Sequence, residues 1–440
     1  MSLYSDMFYA IDINALFTDE ATVAQFLRVE SALAQAQAEN DIIPKLAADV
    51  IEKVCSAKCI DIEKLKLDIV LSGNAAIPLV KQLTERVKDV DESASKYVHL
   101  GATSQDIVDT ATVLQIHEFI GWLEQELASL ENQLVEITKK HRQTVMVGRT
   151  LMQQAKPITF GLKTALWLDS ILRTKERLQE VKNRVLIIQL SGAVGNQNSN
   201  ISESVKKSFA KILNLKTANS WHTQRDNLVE FASVLGVLSG SLGKIAKDVA
   251  LLMQTEVGEV FEGAADGKGG SSTMPNKRNP VTSTAILANA QRIPNLVATM
   301  LVSMIQEHER SVGLWHSEWE VLTEIMQLTA GSLVRIIELI SGLEVDSERM
   351  LQNLELTHGL IYAENVSLAL AQKIGKSDAH TFVEKACKTA IAGKKHLKEV
   401  LKNSKIDLAD NELNELFKPE NSIGLSLEII DRILDSCQII

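Results

Sequence analysis

The sequence predicts an all-α protein with five long helices at its centre, and three observations support this fold class. The chain of 440 residues contains seven prolines, and none lies between Pro78 and Pro157 or between Pro157 and Pro275. The proline-free stretches are rich in Leu, Ala, Glu, Lys and Gln, which favour helices. Strict alternation of apolar and polar residues, which is typical of strands, is scarce, so no substantial sheet is expected.

Apolar residues recur at alternating spacings of three and four along four of the five long stretches, which is the pattern of one helix face. In the first stretch these residues are Ile120, Leu123, Leu127, Leu130, Leu134 and Ile137. Such a repeat is typical of helices that lie nearly parallel to long neighbours. The pattern predicts five helices, over roughly 109–142, 157–190, 226–255, 280–308 and 316–343.

Prolines help to place the ends of these helices. Pro157 and Pro280 lie near two predicted starts, where a missing N–H costs little. Pro294 falls inside the fourth helix and is expected to kink it. The regions on either side have the pattern of shorter helices with polar breaks. The sequence therefore predicts an N-terminal helical domain over 1–108, a central long-helix bundle domain over 109–343 and a C-terminal helical domain over 344–440.

The lengths of the predicted helices indicate association with further copies of the chain. A helix of about 30 residues is about 45 Å long, which exceeds what one small domain needs. Apolar seams on more than one face are typical of bundles that pack on other bundles. We therefore expect a homo-oligomer.

The composition argues against several classes of partner. The formal net charge is −10 at pH 7, and because a basic stripe is missing we expect no nucleic-acid partner. The N-terminus lacks a secretory signal pattern and no apolar run approaches a membrane span, so we expect a cytoplasmic protein without a membrane partner. No metal-binding motif and no nucleotide-phosphate fingerprint occurs, so no cofactor is expected.

Three polar islands interrupt the helical pattern, and each adjoins the end of a long helix. The first, "HLGATSQDIVDTA", runs over 99–111, and the second, "VGRTLMQQAKP", runs over 147–157. Taken alone, each of these two is explained by capping. Thr103 or Ser104 followed by Asp106, for example, is an ordinary helix start.

The third island, "GGSSTMPNKRNP", is less easily explained by capping. It runs over 269–280, and we call it the serine loop. Two glycines and two prolines restrict its shape, and the pair Lys277 and Arg278 adds charge that no cap requires. Backbone N–H groups in such a loop can form a nest for an anion. The chemistry of this loop therefore predicts a function beyond folding.

The islands resemble motifs of the fumarase/aspartase superfamily. "GSSTMPNKRNP" resembles the superfamily signature Gly-Ser-Ser-x-Met-Pro-x-Lys-x-Asn-Pro. "GATSQDIVDTA" and "GRTLMQQAKPITFG" are similar to its Thr-Ser-x-Asp and Gly-Arg-Thr regions, in the same order and spacing. The resemblance implies a nearly all-α fold of three domains, whose central five-helix bundle assembles into a homotetramer. It also implies active sites in which the three regions meet from three different subunits.

The resemblance also implies roles for residues of the serine loop. Members of the superfamily form or break a bond β to a carboxylate through a carbanion, and the first serine of the signature acts as the base. That residue is Ser271 here, while Lys277 and Asn279 match positions that stabilise the carboxylate or orient the loop. A serine can act as a base only where cations and N–H donors stabilise its anion. Lys277 and the glycine-rich backbone could provide this field without a histidine.

Position 151 separates the reactions that the superfamily performs. In many members, adenylosuccinate lyase among them, Gly-Arg-Thr continues with a histidine that helps to protonate a leaving group. Leu151 stands there in this chain, although general acid catalysis is typically worth about 10²–10⁴-fold. The islands resemble instead a cycloisomerase branch, in which a substrate carboxylate adds across a conjugated double bond and closes a lactone. A superfamily lyase that eliminates fumarate and a non-catalytic protein on the same scaffold remain alternatives.

The substrate implied by this branch is a small tricarboxylate, which needs several cations and hydrogen-bond donors. The candidates are Arg149, Arg225, Lys277 and Arg310, with Thr103, Ser104, Gln105, Thr150 and Asn279 as further binding residues. His99 and His222 flank the islands and either contact the substrate or make structural hydrogen bonds. Arg278 is a weaker candidate, with loop structure as its alternative role. For Trp315 and Trp319, four apart on one helix face, packing is the preferred interpretation.

Overall fold

The computed structural model describes residues 3–265, 267–270, 273–274, 276–404 and 408–437. The N-terminal helices are α1 (Ser5–Phe8), α2 (Ile11–Asn14), α3 (Asp19–Glu39), α4 (Lys45–Val54), α5 (Ile62–Ser72) and α6 (Ala76–Val90). The middle of the chain forms α7 (Ser104–Lys140), β1 (Val145–Thr150), β2 (Gln153–Thr159), α8 (Phe160–Val185), α9 (Glu203–Leu213), α10 (Asp226–Leu252), β3 (Val260–Phe261), α11 (Val281–Val302) and α12 (Leu314–Ser341). The last part forms β4 (Glu344–Val345), α13 (Ser347–Glu355), α14 (Ala363–Ile374), α15 (Lys376–Gly393), α16 (Leu397–Lys402), α17 (Asp410–Leu416) and α18 (Ser426–Ser436).

These elements confirm the all-α class and the five long helices, which are α7, α8, α10, α11 and α12. Pro280 directly precedes α11, as a proline near a helix start should. Pro294 lies inside α11, which continues through it. The predicted kink at this proline remains a prediction.

The second island is a β-hairpin, which the sequence analysis did not predict. β1 pairs antiparallel with β2, and Pro157 lies opposite Val147, so this proline belongs to a strand and α8 begins three residues later. The two turn residues, Leu151 and Met152, have φ angles of 49° and 65°. Such left-handed turns usually carry Asn-Gly or Asp-Gly. Because leucine and methionine occupy the turn, its sequence signal was missing.

The chain divides into two compact units. The first comprises residues 1–127, 174–242 and 288–334, and the second comprises residues 128–173, 243–287 and 335–440. Each boundary between them falls within one of the five long helices. The division into domains over 1–108, 109–343 and 344–440 remains a prediction.

In the first unit, aromatic side chains mark the core between the N-terminal segment and the long helices. Phe119 on α7 meets Phe231 on α10 edge to face, with ring centroids 6.3 Å apart, and lies 6.4 Å from Phe17. Both Phe119 and Phe231 are fully buried. Edge-to-face pairs add a favourable quadrupole interaction to the burial of apolar area.

In the second unit, the C-terminal helices bury an apolar cluster against β1. The buried members of this cluster include Val145, Val147, Leu354, Tyr362, Val366, Leu370 and Leu397. Elsewhere in this unit the indole N–H of Trp167 donates to Asp248 at 2.8 Å. The first four residues of β1 are buried by this packing, whereas the turn residues Leu151 and Met152 are exposed.

Helix α10 departs from the expectation that no apolar run approaches the length of a membrane span. Among the described residues, α10 is long and apolar enough to cross a membrane by length and composition. However, 61% of its apolar window is buried inside the protein. The core helix of a globular protein meets the same criteria, because an all-round apolar helix is also what a large core requires.

A tight contact between α12 and the N-terminal segment gives a testable prediction. A Cβ atom on Gly331 would lie 1.9 Å from the carbonyl oxygen of Phe8, which also accepts a hydrogen bond from Asn289 at 2.8 Å. Gly331→Ala should therefore lower the free energy of unfolding by about 1–3 kcal/mol, as overpacking does. Chemical denaturation of the variant measures this change.

Gly121→Ala on α7 is the matched control. Gly121 is exposed, and a Cβ there would meet nothing within 4 Å. This variant should gain about 0.5–1 kcal/mol, because alanine favours a helix interior over glycine. Equal stability changes for the two variants would show that the contact at Phe8 is not tight.

Candidate functional site

The first island forms the start of α7, and Asp106 holds it in place. The N–H of Thr103 donates to Oδ2 of Asp106 at 3.0 Å, which is the hydrogen bond of a helix cap. The same buried carboxylate accepts from the N–H groups of Ser191 and Gly192, each at 2.9 Å, and from Nε2 of His222 at 3.0 Å. Asp106 thus connects the first island to the loop at Ser191 and Gly192 and to His222.

Arg310 is hydrogen-bonded to two other predicted substrate-binding residues. Its Nη2 donates to Oγ1 of Thr103 at 2.8 Å, and its Nη1 donates to Oγ of Ser104 at 3.4 Å. Nη2 also donates to the carbonyl of Ala193 at 3.2 Å. Since the two hydroxyls accept from Arg310, their own protons remain available for an anionic ligand. We call Thr103, Ser104 and Arg310 the hydroxyl–arginine cluster.

Arg225 does not have the environment expected of a substrate-binding residue. Its side chain is 1% exposed and is held between Asp109 and Glu318. Nη1 and Nη2 donate to the two oxygens of Asp109 at 2.7 and 3.0 Å, and Nη2 donates to Oε2 of Glu318 at 2.5 Å. Nε donates to Glu318 as well. Because all three nitrogens already donate inside the protein, we correct the prediction for Arg225 from substrate contact to positioning.

This buried charge network of Asp109, Arg225 and Glu318 carries one positive and two negative groups. Burial raises the pKa of Glu318, Arg225 lowers it and Asp109 raises it again, so that the pKa lies above its ordinary value. The indole N–H of Trp315 donates to Asp109 at 3.0 Å. Trp315 therefore packs, as predicted, and also stabilises one of the carboxylates.

Gln105 and His222 are also directed into the protein. The amide of Gln105 is buried and donates to Asp109 at 3.1 Å and to the carbonyl of His222 at 2.8 Å. The predicted role of Gln105 as a donor to substrate is corrected accordingly, because both amide protons are used. His222 is buried and bonded to Asp106, which is the structural alternative that the sequence left open.

His99 pairs with a carboxylate of α3. Its Nδ1 lies 2.6 Å from Oε1 of Glu30. Burial lowers the pKa of His99, but Glu30 and Asp106 more than compensate, and the pKa is raised above its ordinary value. The side chain of His99 is 20% exposed, so its cationic form remains partly accessible to a ligand.

In the second unit, Arg149 lies on β1 just before the hairpin turn. Its guanidinium makes a two-pronged ion pair with Glu259, at 2.9 and 2.7 Å, and Glu259 also accepts from Asn353 at 2.7 Å. The side chain of Glu259 is fully buried. Thr150 and Leu151 follow at the exposed tip, where the leucine side chain is 96% exposed.

Lys163, on α8, is a further cation in the second unit that the sequence analysis missed. Burial lowers its pKa, Asp248 raises it, and Lys244 and Arg149 lower it, with a net shift downward. Its amine therefore loses its proton more readily than an exposed lysine does.

The serine loop contains both described and undescribed residues. The predicted base Ser271 lies outside the described residues, as do Ser272 and Pro275. The N–H of Asn279 donates to the carbonyl of Gly269 at 2.8 Å, and its side chain donates to the carbonyl of Gly270 at 3.4 Å. Asn279 thus closes the loop. Lys277 is exposed, and its N–H donates to the carbonyl of Met274 at 3.2 Å.

Arg278 has the structural role that was its alternative. It donates to both oxygens of Glu344 at 3.0 Å and to the carbonyl of Glu262 at 2.6 Å. The buried carboxylate of Glu262 in turn accepts from the N–H groups of Thr282 and Ser283 at 3.0 and 2.8 Å. Glu262 therefore caps the N-terminus of α11, where a negative charge is favourable.

The carboxylates that organise these clusters were not predicted from the sequence. They are Glu30, Asp109, Glu259, Glu262 and Glu318. The available signal was a charged residue at an otherwise apolar position of a helix, such as Glu318 in "LWHSEWEVL". Among the described residues, no group of three or more His, Cys, Asp or Glu side chains is arranged to hold a metal ion.

The buried charge network gives a testable prediction. Arg225→Met should lower the free energy of unfolding by about 3–5 kcal/mol, because it leaves two buried carboxylates without their cation. Arg184→Met removes an exposed pair with Glu230 and should cost about 0–1 kcal/mol. Denaturation curves of the two variants give the comparison.

The pH dependence of this deficit follows from the raised pKa of Glu318. Without Arg225 the pKa of Glu318 rises further in the folded protein, so the folded state binds a proton that the unfolded state does not. The loss of stability should therefore be larger near neutral pH than in mild acid. A deficit that grows on acidification would contradict the assignment.

Comparisons with known proteins identify the family of this chain. A lyase family model matches residues 8–294, and a model for the adenylosuccinate lyase C-terminus matches residues 359–433. The chain is 47% identical to the 3-carboxy-cis,cis-muconate cycloisomerase of Acinetobacter baylyi, covering 99% of this chain and 98% of the relative. It is 45% identical to that of Pseudomonas aeruginosa, covering 98% and 95%. The crystal structure of the 3-carboxy-cis,cis-muconate lactonizing enzyme from Pseudomonas putida has a TM-score of 0.95 and 43% identity, with 99% of each chain covered. The chain therefore belongs to the lyase family of the fumarase/aspartase superfamily.

Proposed function

We propose that the protein is a cycloisomerase that converts 3-carboxy-cis,cis-muconate to 4-carboxymuconolactone, a step of protocatechuate catabolism. Full-length similarity to relatives that carry this enzyme name supports the substrate. The observation that carries the reaction type is Leu151 at the exposed hairpin tip, beside Arg149. A lyase that expels a poor leaving group needs an acid in this region, and leucine cannot be one.

The reaction needs one carboxylate as the nucleophile and one proton at carbon. A carboxylate oxygen of the substrate attacks the conjugated double bond, and the C–O bond of the lactone forms as the π bond breaks. The electron pair moves to the carbon next to another carboxylate, which then takes a proton. The attacking carboxylate becomes an ester, so one proton is consumed from solvent. Ser271 is proposed to deliver it, with Lys277 stabilising the carbanion through its carboxylate.

The charge of the tricarboxylate is proposed to be met by Arg310, Arg149 and Lys277, with hydrogen bonds from Thr103 and Ser104. The hydroxyl–arginine cluster supports this, because its arginine donates to hydroxyl and carbonyl oxygens and keeps its charge. Thr150 and Asn279 are proposed as further contacts. The ion pair with Glu259 orients Arg149 and leaves less of its charge for a ligand.

The assembly and location of the enzyme are also proposals. We propose a homotetramer in which the three islands come from different subunits, located in the cytoplasm and acting without nucleic-acid or membrane partners and without a cofactor. Five helices of 22 residues or more support such an assembly, because long helices can present large apolar faces to other copies.

The test of the function follows the diene absorbance of 3-carboxy-cis,cis-muconate, with adenylosuccinate as the control substrate. The wild type should consume the first and leave the second unchanged. Ser271→Ala should abolish lactonisation while substrate binding persists, because the residue transfers a proton and holds little of the substrate. Ser272→Ala is the matched control and should be milder. Release of fumarate from adenylosuccinate, or full activity of Ser271→Ala, would contradict the proposal.

Leu151→His tests the reaction type. Histidine tolerates the left-handed backbone better than leucine does, so the substitution should not disturb the turn, whose residue 151 has a φ of 49°. The variant should be no faster than the wild type, because protonating the attacking carboxylate would remove the nucleophile. The measurement is the turnover of the variant beside that of the wild type. Equal unfolding temperatures of the two proteins show that the variant is folded. A markedly faster variant would show that an acid is useful there.

A further inference from the structure

The pairing of His99 with Glu30 is unusual in its burial. Glu30 lies in the middle of α3, and its side chain is 1% exposed. Oε1 is bonded to Nδ1 of His99 at 2.6 Å, whereas Oε2 is buried and accepts no hydrogen bond from the described residues. A buried carboxylate with so few donors is costly unless its partner is positively charged. The pair is therefore favoured as carboxylate and imidazolium.

The backbone of His99 is held in an unfavourable conformation. Its φ is 59°, and Gly101 follows with a φ of 77°. Gln37, two turns after Glu30 on α3, donates to the carbonyl of Leu100 at 2.7 Å. The helix thus fixes this loop through two side chains. Strained residues that are held in this way are concentrated at binding and catalytic sites.

The charged groups around the pair act in one direction on the imidazole. Glu30 faces it from α3, and Asp106 acts from α7. Near Glu30, burial raises the pKa of the Cys55 thiol, and Glu30, Cys59 and Glu52 raise it further, so Cys55 stays neutral. Among the described residues, the only hydrogen bond and ion pair to the side chain of Glu30 come from His99.

We infer that Glu30 is a positioning residue for substrate binding, which holds His99 as an imidazolium whose Nε2–H binds a carboxylate of the substrate. His99 stands four residues before Thr103 of the hydroxyl–arginine cluster. The inference rests on the proposed function, because the ion pair with Glu259 leaves less of the charge of Arg149 for the tricarboxylate, and a further cation would offset this. No hydrogen bond to Nε2 of His99 is found among the described residues, so this donor is available.

The first measurement is independent of activity. Exchange of the imidazole C2 hydrogen, followed by mass spectrometry, gives the pKa of His99 in the free protein. Glu30→Gln keeps the size and the hydrogen-bond acceptor but removes the charge. It should lower the pKa of His99 by about one unit or more. Glu39→Gln, at an exposed position of the same helix, is the matched control and should leave this pKa unchanged.

The second measurement is the pH dependence of KM for 3-carboxy-cis,cis-muconate. In the wild type, KM should rise as the pH rises through the pKa of His99, because the imidazolium loses its proton. In Glu30→Gln this rise should occur at lower pH, and near neutral pH KM should be about tenfold higher with kcat within about threefold. Glu39→Gln should behave as the wild type.

His99→Gln is the second variant, for the case that Glu30→Gln does not fold. It should raise KM by a similar factor and remove the pH dependence. An active Glu30→Gln enzyme with unchanged KM would overturn the substrate role of the pair, and an unchanged pKa of His99 would overturn its electrostatic basis. If the wild type does not turn over the substrate at all, the proposed function fails and the substrate role fails with it.

Discussion

The arrangement of the first unit depends on a single buried guanidinium. Arg225 directly precedes α10, Asp109 lies near the start of α7, and Glu318 lies near the start of α12. One side chain thus fixes the relative positions of three long helices at one end. Buried ion pairs add little net stability, because desolvation offsets attraction. Their cost when unpaired is large, however, so any packing that separates these three residues is strongly disfavoured. The network therefore selects one arrangement of helices that apolar seams alone would leave less well defined.

The buried carboxylates Asp106 and Asp109 separate residues that support the candidate site from residues that are free to bind a ligand. Gln105 and Trp315 donate to Asp109, and His222 donates to Asp106, so these polar groups are used within the protein. Arg310 differs, because its described partners are hydroxyl and carbonyl oxygens. A protein with a net charge of −10 attracts a trianion only where the positive charge of a side chain is not offset by a neighbouring carboxylate. The carboxylate partner of each arginine, and not the presence of an arginine, decides which one can bind substrate.

The helices could be predicted from the sequence because each repeats one simple pattern over many residues. Seams such as Ile120, Leu123 and Leu127 require only that one face be buried, and the observed α7 contains all three. The hairpin could not be predicted, because Leu151 and Met152 replace the residues that mark its turn. The role of Arg225 could not be predicted either. An arginine near a polar island has the same sequence pattern whether it faces a ligand or two carboxylates that lie 93 and 116 residues away in the chain.

The hairpin tip combines two unfavourable features that a single chain does not explain. Left-handed backbone costs an L-residue about 1–2 kcal/mol, and two adjacent residues without glycine adopt it here. Leu151 is also 96% exposed, although burying a leucine contributes about 1.5–3 kcal/mol. Asparagine or glycine would remove both costs, so the leucine is not retained for the turn itself. Burial of the tip against another copy of the chain would recover the hydrophobic contribution and hold the turn in place. In the tetramer that we propose, another copy of the chain would supply that surface. Leu151 would then place an apolar side chain near Arg149, where the diene of the proposed substrate would pack and one of its carboxylates would bind. Burial of the tip in the tetramer would then explain both the left-handed turn and the presence of leucine, in place of an acid, at position 151.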